Sequence, residues 1–307
     1  MTRLLAAALA ATALLLPAVA DAAPRSRPHP AALEAAPARF TVTVTGSGPD
    51  VILIPGLSTP REVWSATASA FAKTHRLHLV QIAGFGGTPA GPNAGGNILD
   101  GSVAELERYI VAHRLRKPAI VGYSMGGLIA LLLAERAPEA VGKVMVVDAL
   151  PFIGTLFAPD ATIETVRPQA ERLRSAMVRP ATPEQRRAAA EQVAAGLAKT
   201  PAARASIARW VVESDPAVSA EAAYEDMVTD ARPGIRGLRV PVTVVFAWDP
   251  PALPLERARS LYAAAYAGTP QLQLKPIEGS YHFLMLDRPD LFQAELRAFL
   301  ARPAPRL

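Results

Sequence analysis

The chain contains no cysteine. That excludes a disulfide framework and also a lipid-modified N-terminal cysteine, so stability has to come from a packed core. Half of the 307 residues are hydrophobic, enough to bury one large α/β domain or two small ones. Excess charge of one sign is small as well. The net charge is +5, and the arginines are scattered among acidic residues rather than gathered into a basic stripe interleaved with aromatics, which excludes a nucleic-acid partner. No internal repeat of solenoid-like period occurs.

Long apolar runs are rare too. The one at the start, Leu4 to Ala20, sits at the short limit for crossing a bilayer, is rich in Ala and contains Pro17. Arg3 before it and Ala18-Val19-Ala20 at its end complete the grammar of a signal peptide over residues 1–20, cleavable before Asp21. The expectation is a secreted or periplasmic protein without stable membrane insertion after cleavage; the alternative is an uncleaved N-terminal membrane anchor. Residues 21–38, "DAAPRSRPHPAALEAAPA", read as a Pro/Ala-rich linker.

From Phe40 onward, short Val/Ile-rich runs alternate with helical stretches. The runs are "FTVTVTG", "VILIP", "LHLVQIAG", "PAIVGY" and "KVMVVDAL", of the kind that suits strands buried on both faces. Helices are expected near 61–73, 101–114 and 125–136, the second opened by a Ser102/Glu105 capping box. This alternation predicts a parallel sheet. After Leu150 it gives way to an Ala-, Arg- and Glu-rich helical block over 151–236, in which Thr182, Pro183 and Gln185 mark a helix start. Strands resume with "VPVTVVFAW" and "QLQLKPI", followed by a last amphipathic helix over 289–300. One sheet domain, 39–150 with 237–303, is therefore expected to carry a helical insertion.

Within this frame "IVGYSMGGLIA" places Ser124 in a G-x-S-x-G turn between a buried strand and a helix. Gly122 and Gly126 leave room for close chain approach, and the sharp elbow exposes the hydroxyl. A serine becomes a useful nucleophile only when a histidine takes its proton and an acid holds that histidine. Of the five histidines, His29, His75, His78 and His113 precede the serine, and only His282 follows it, just past the last strand. Asp249 and Asp148 both end strands between the two. Asp249 is the first candidate acid and Asp148 the alternative.

Through "VGYSMGG", "FAWDP" and "IEGSYHFLMLDRPDLFQAELRAFL", residues 40–300 resemble the α/β-hydrolase fold superfamily. The resemblance implies a mostly parallel central sheet flanked by helices, with a helical cap inserted after the sixth strand. It implies Ser124 as nucleophile, His282 as base and Asp249 as acid, with the Leu57 and Met125 amides as oxyanion hole. The chain departs from the pattern at Pro55-Gly56, where members carry His-Gly; at "AWDPP", which keeps Asp148 open as the acid; and in having one strand rather than two before "VILIP". Trp64 keeps the spacing from Gly56 seen in relatives.

The expected function is a serine hydrolase, a carboxylic ester hydrolase working through an acyl-enzyme on a small-molecule acyl substrate. Trp64, Phe152 and Phe157 are the expected substrate contacts, with "LPFIGTLF" as a possible acyl-pocket wall. No metal or organic cofactor is implied. Other triad chemistry stays open: C–C bond hydrolysis, acyl transfer, perhydrolysis or aminopeptidase action. So does a non-catalytic binding protein of the same fold. Aspartate-nucleophile chemistries such as dehalogenation and epoxide hydrolysis are disfavoured by a serine at the elbow.

Overall fold

The computed structural model describes residues 39–302 except Pro251. The expected signal peptide and linker lie outside the described residues. Seven strands form one sheet: β1 (Phe40–Gly46), β2 (Asp50–Ile54), β3 (Arg76–Ile82), β4 (Ala119–Tyr123), β5 (Lys143–Val147), β6 (Val242–Trp248) and β7 (Leu272–Glu278). Their spatial order is β1-β3-β2-β4-β5-β6-β7. Only β1 runs antiparallel to its neighbour; all other pairings are parallel.

Helices α1 (Ser65–Phe71), α2 (Ile98–Ala112) and α3 (Met125–Arg136) alternate with the early strands. Between β5 and β6 lie α4 (Ile163–Met177), α5 (Pro183–Leu197), α6 (Pro201–Glu213), α7 (Pro216–Val228) and the short α8 (Arg232–Ile235). Helix α9 (Leu255–Ala265) joins β6 to β7, and α10 (Leu284–Asp287) and α11 (Pro289–Ala301) close the described chain. The helical segments thus follow β5, the sixth strand of the family order once a first edge strand, not present among the described residues, is counted.

Strand side chains alternate between two faces, as a period of two requires. Ile52, Ile54, Ile120, Val144, Val146 and Val244 pack towards α2, α3 and α9. Their neighbours Val51, Leu53, Val121, Met145, Val147 and Val245 pack towards α1 and α11. Both faces are covered, so continuous apolar runs rather than alternating ones encode the strands. At the base of β5 the buried Lys143 ammonium donates to the Phe299 and Leu300 carbonyls, capping the C-terminal end of α11.

Two helix starts show how local grammar fares in three dimensions. At α5 the Thr182 hydroxyl accepts from the Gln185 amide while the Gln185 side chain accepts from the Thr182 amide, the expected capping box. At α2 the expected Ser102/Glu105 box does not form. The helix begins earlier, at Ile98, leaving Ser102 buried inside it. Its first amides, of Ile98 and Leu99, donate to the Glu225 carboxylate on α7 at 2.9 and 2.8 Å. A carboxylate from 127 residues away satisfies the orphan donors and suits the positive helix end, and Glu105 instead accepts from the Arg39 amide.

Candidate active site

Ser124 stands at the junction of β4 and α3 with φ 52° and ψ −126°, a left-handed conformation costly for any residue with a Cβ. The surroundings hold it there. The Ser124 amide donates to the Val147 carbonyl at 2.9 Å, and the Ser124 carbonyl accepts from the Gly127 amide at 2.7 Å. A Cβ on Gly122 would fall 2.0 Å from the Gly126 carbonyl oxygen, and one on Gly126 would fall 2.5 Å from those of Ile54 and Pro55. The flanking glycines are therefore a steric requirement of the elbow.

His282, between β7 and α10, brings Nε2 to 2.9 Å from the Ser124 hydroxyl. Its Nδ1 lies 2.7 Å from a carboxylate oxygen of Asp148, just past β5. The other Asp148 oxygen accepts from the Ala247 amide at 2.8 Å and from the Tyr262 hydroxyl at 2.9 Å. Burial, with the nearby Asp148 charge, pushes the Tyr262 phenol well above its ordinary pKa, so it stays a donor. The buried Tyr123 ring packs against His282 with centroids 5.0 Å apart.

Asp249, the first candidate acid, is not beside His282. The backbone beyond β6 turns back on itself, with the Asp249 and Leu253 amides and carbonyls paired, and the buried Asp249 carboxylate pairs with Lys199 of the helical insertion. The alternative, Asp148, occupies the place beside the imidazole. One strand further along the sheet is far enough for a different partner.

The Leu57 and Met125 amides have no backbone acceptor among the described residues. Met125 opens α3, whose first N–H groups are free by geometry. Leu57 follows Gly56, where a Cβ would lie 2.9 Å from the Ser124 Cβ and 3.0 Å from the Tyr123 ring. The absence of a side chain at Gly56 lets this loop lie against the elbow. Ser58 then ties the loop to α7 through its hydroxyl, which donates to Ser219 at 2.8 Å.

A cavity of about 320 Å³ opens onto Ser124 and His282. Leu150, Ile153, Leu156, Trp248, Leu253 and Leu261 make much of its wall apolar. The segment 150–157 thus reaches the cavity, but not through its aromatic residues. Phe152 is fully buried within the insertion, beneath the Arg232 guanidinium 4.6 Å from its ring, and Phe157 is exposed to solvent. Trp64 is also core, tilted on Phe292 at 6.1 Å. None of these three expected substrate contacts lines the cavity: the Trp64 and Phe152 rings are buried in the core, where large aromatic side chains gain most, and Phe157 faces solvent.

Two carboxylates that sequence reasoning passed over complete the site. Asp287, at the end of α10, accepts from the Lys199, Thr200 and Tyr281 amides at 2.9 to 3.1 Å, binding the insertion to the loop that carries His282. Asp226, on α7, lines the cavity, and burial pushes its carboxyl up to about 7 while the charge of nearby His282 opposes the shift. No local motif marks either residue. The other described histidines stand apart from this site; His78, for example, is buried between Asp50 and the Tyr109 hydroxyl at 2.9 and 2.7 Å.

Comparison with known proteins places this geometry in context. The model of a family described as the alpha/beta hydrolase family matches residues 51–295. Pimeloyl-[acyl-carrier protein] methyl ester esterases are similar over a shorter stretch. The Aeromonas salmonicida protein is 34% identical over 106 residues, which is 34% of this chain and 40% of that one. The Vibrio cholerae protein is 31% identical over 108 residues, 35% of this chain and 40% of that one. The chain thus spans about two fifths of the length of these curated relatives. Among solved structures, the enol-lactonase from Burkholderia xenovorans superposes with a TM-score of 0.67 at 22% identity, covering 86% of this chain and 96% of that one. A thermophilic esterase from Thermogutta terrifontis superposes with a TM-score of 0.68 at 21% identity, covering 85% and 92%. At such identities the likeness speaks for the fold.

Proposed function

The chain belongs to the alpha/beta hydrolase family, and on that premise we propose that it is a serine ester hydrolase acting on a small-molecule acyl substrate. The observation that carries this reading is the unbroken hydrogen-bonded series Ser124, His282, Asp148 at the wall of a cavity. Ser124 Oγ attacks the ester carbonyl while His282 Nε2 takes its proton. Asp148, acceptor at Nδ1, fixes the ring tautomer and stabilises the imidazolium. The amides of Leu57 and Met125 receive the oxyanion, and preorganised donors of this kind contribute about 3 to 4 kcal/mol each to the transition state. The imidazolium then returns its proton to the departing alcohol. Water, activated by the same imidazole, attacks the acyl-enzyme, releases the acid and restores Ser124.

Similarity to proteins named as esterases over part of the chain supports ester hydrolysis over other triad chemistry. The test is labelling by a fluorophosphonate probe, with Ser124→Ala as control, followed by turnover of acyl esters of increasing chain length. Folded protein that neither reacts with the probe at Ser124 nor turns over any ester would refute the assignment.

A further inference from the structure

Three carboxylates reach the cavity: Asp148, Asp226 and Asp249. Two of them are compensated. Asp148 accepts from His282, Ala247 and Tyr262, and Asp249 is paired with Lys199. Asp226 has no hydrogen-bond or ion-pair partner among the described residues, and its surroundings there are largely apolar: Leu150, Ile153, Leu156, Leu253 and Leu261. A carboxylate in such a place is costly unless something pairs with it.

Nor is Asp226 on a segment that could swing it into water. Its helix, α7, is fixed on several sides. Asp215 caps its N-terminus, and the Asp215 amide donates to the Gly84 carbonyl at 2.7 Å. Ser219 receives the Ser58 hydroxyl, and Glu225, adjacent to Asp226, caps α2. The carboxylate is therefore held in the cavity by the same helix that braces the loop of Leu57.

We propose that Asp226 selects the substrate: the cavity takes esters that carry a cationic amino group, and the ammonium pairs with Asp226 while the ester carbonyl sits at Ser124. This rests on the ester-hydrolase reading above. A charge-assisted hydrogen bond in a half-buried, largely apolar cavity is strong enough to discriminate, and a carboxylate-bearing ester would meet repulsion at the same place. The neutral apolar wall accounts for the methylene chain between the two ends.

The test uses three homologous series of methyl esters, identical in their polymethylene chain and ending in a methyl, an ammonium or a carboxylate group. Chain length is scanned in each, and kcat/KM is compared at about pH 8, above the transition of the Asp226 carboxyl. At one chain length the ammonium ester should be preferred over its methyl counterpart by about 10- to 100-fold, the worth of a charged hydrogen bond, with the carboxylate ester poorest. In Asp226→Asn, which keeps the side-chain shape, the ammonium-to-methyl ratio should collapse towards one. Turnover of the methyl esters without ammonium preference at any length would overturn the proposal and leave the hydrolase reading standing. A preference that survives in Asp226→Asn would do the same. If the wild-type protein turned over no ester and Ser124 took no probe, both readings would fall together.

Discussion

His282 and Asp148 meet at 2.7 Å, and this contact joins the end of β5 to the loop after β7 across the intervening β6. Asp249, at the end of β6, is nearer to His282 in sequence yet serves a different pair. Replacing each acid by its amide should separate them. Asp148→Asn should lower kcat by about 10⁴-fold, because the amide stabilises the wrong imidazole tautomer, whereas Asp249→Asn should cost far less and show mainly as a looser insertion. Steady-state kinetics on one ester checks both; equal losses would contradict the pairing.

Asp287 is a positioning residue rather than a reacting one. Its carboxylate gathers three amides, two from the insertion and one from Tyr281 beside His282. Asp287→Ala leaves those donors without their acceptor, at about 1 to 3 kcal/mol for each buried group left unsatisfied. The expected outcome is a lower melting temperature and a fall in kcat larger than any rise in KM, with Asp287→Asn recovering part of both. A variant with normal melting but raised KM alone would point to substrate contact instead.

Gly56→Ala should act on the nucleophile without touching it chemically. The new methyl would fall 2.9 Å from the Ser124 Cβ and 3.0 Å from the Tyr123 ring, so the elbow or the oxyanion loop must shift. We expect a loss of about 10²-fold in kcat, the scale of a displacement of roughly 1 Å in a reacting group, measured together with the rate of fluorophosphonate labelling.

The Asp226 carboxyl gives a pH signature in stability. The folded protein holds this proton up to about 7, against an ordinary 3.8, so between those values the folded state binds more protons than the unfolded one. Stability contributed by the neutral acid is present at low pH and is lost as pH rises through this window. Asp226→Asn does not titrate. Its gain over wild type should be small near pH 4 and reach about 4 kcal/mol above pH 7, read from denaturant unfolding at several pH values. A gain independent of pH would contradict the shifted carboxyl.

Export is checked directly by the N-terminus of protein recovered from an expressing cell. The expected result is a chain beginning near Asp21 or Ala23, and a full-length chain in the membrane fraction would favour the anchor.

What could be read in the residues, and what could not, divides along physical lines. Strands such as "AIVGY" and "KVMVV" are legible because burial on both faces demands unbroken apolar runs. The elbow is legible because its steric needs are local: Gly122, Gly126 and Gly127 surround Ser124 within a few positions. His282 stood out by being the one histidine after the serine. The acid did not, since Asp148 and Asp249 both end strands and only the arrangement of the sheet decides which faces the imidazole. Trp64 and Phe152 carry no sign in the sequence that distinguishes a pocket wall from a core. The Ser102/Glu105 pattern was overruled by Glu225, a partner no local window contains.

The cap that α7 places on α2 bears on how this protein could be re-engineered. Glu225 closes a core helix, Ser219 braces the loop of Leu57, and Asp287 receives amides from the segment between α5 and α6. The segment between β5 and β6 is consequently no detachable module. A chimaera that exchanged it wholesale would inherit a core with an open helix end and an unbraced loop, so grafts meant to alter the cavity should keep α7 and vary Leu150, Ile153 and Leu156, which line it.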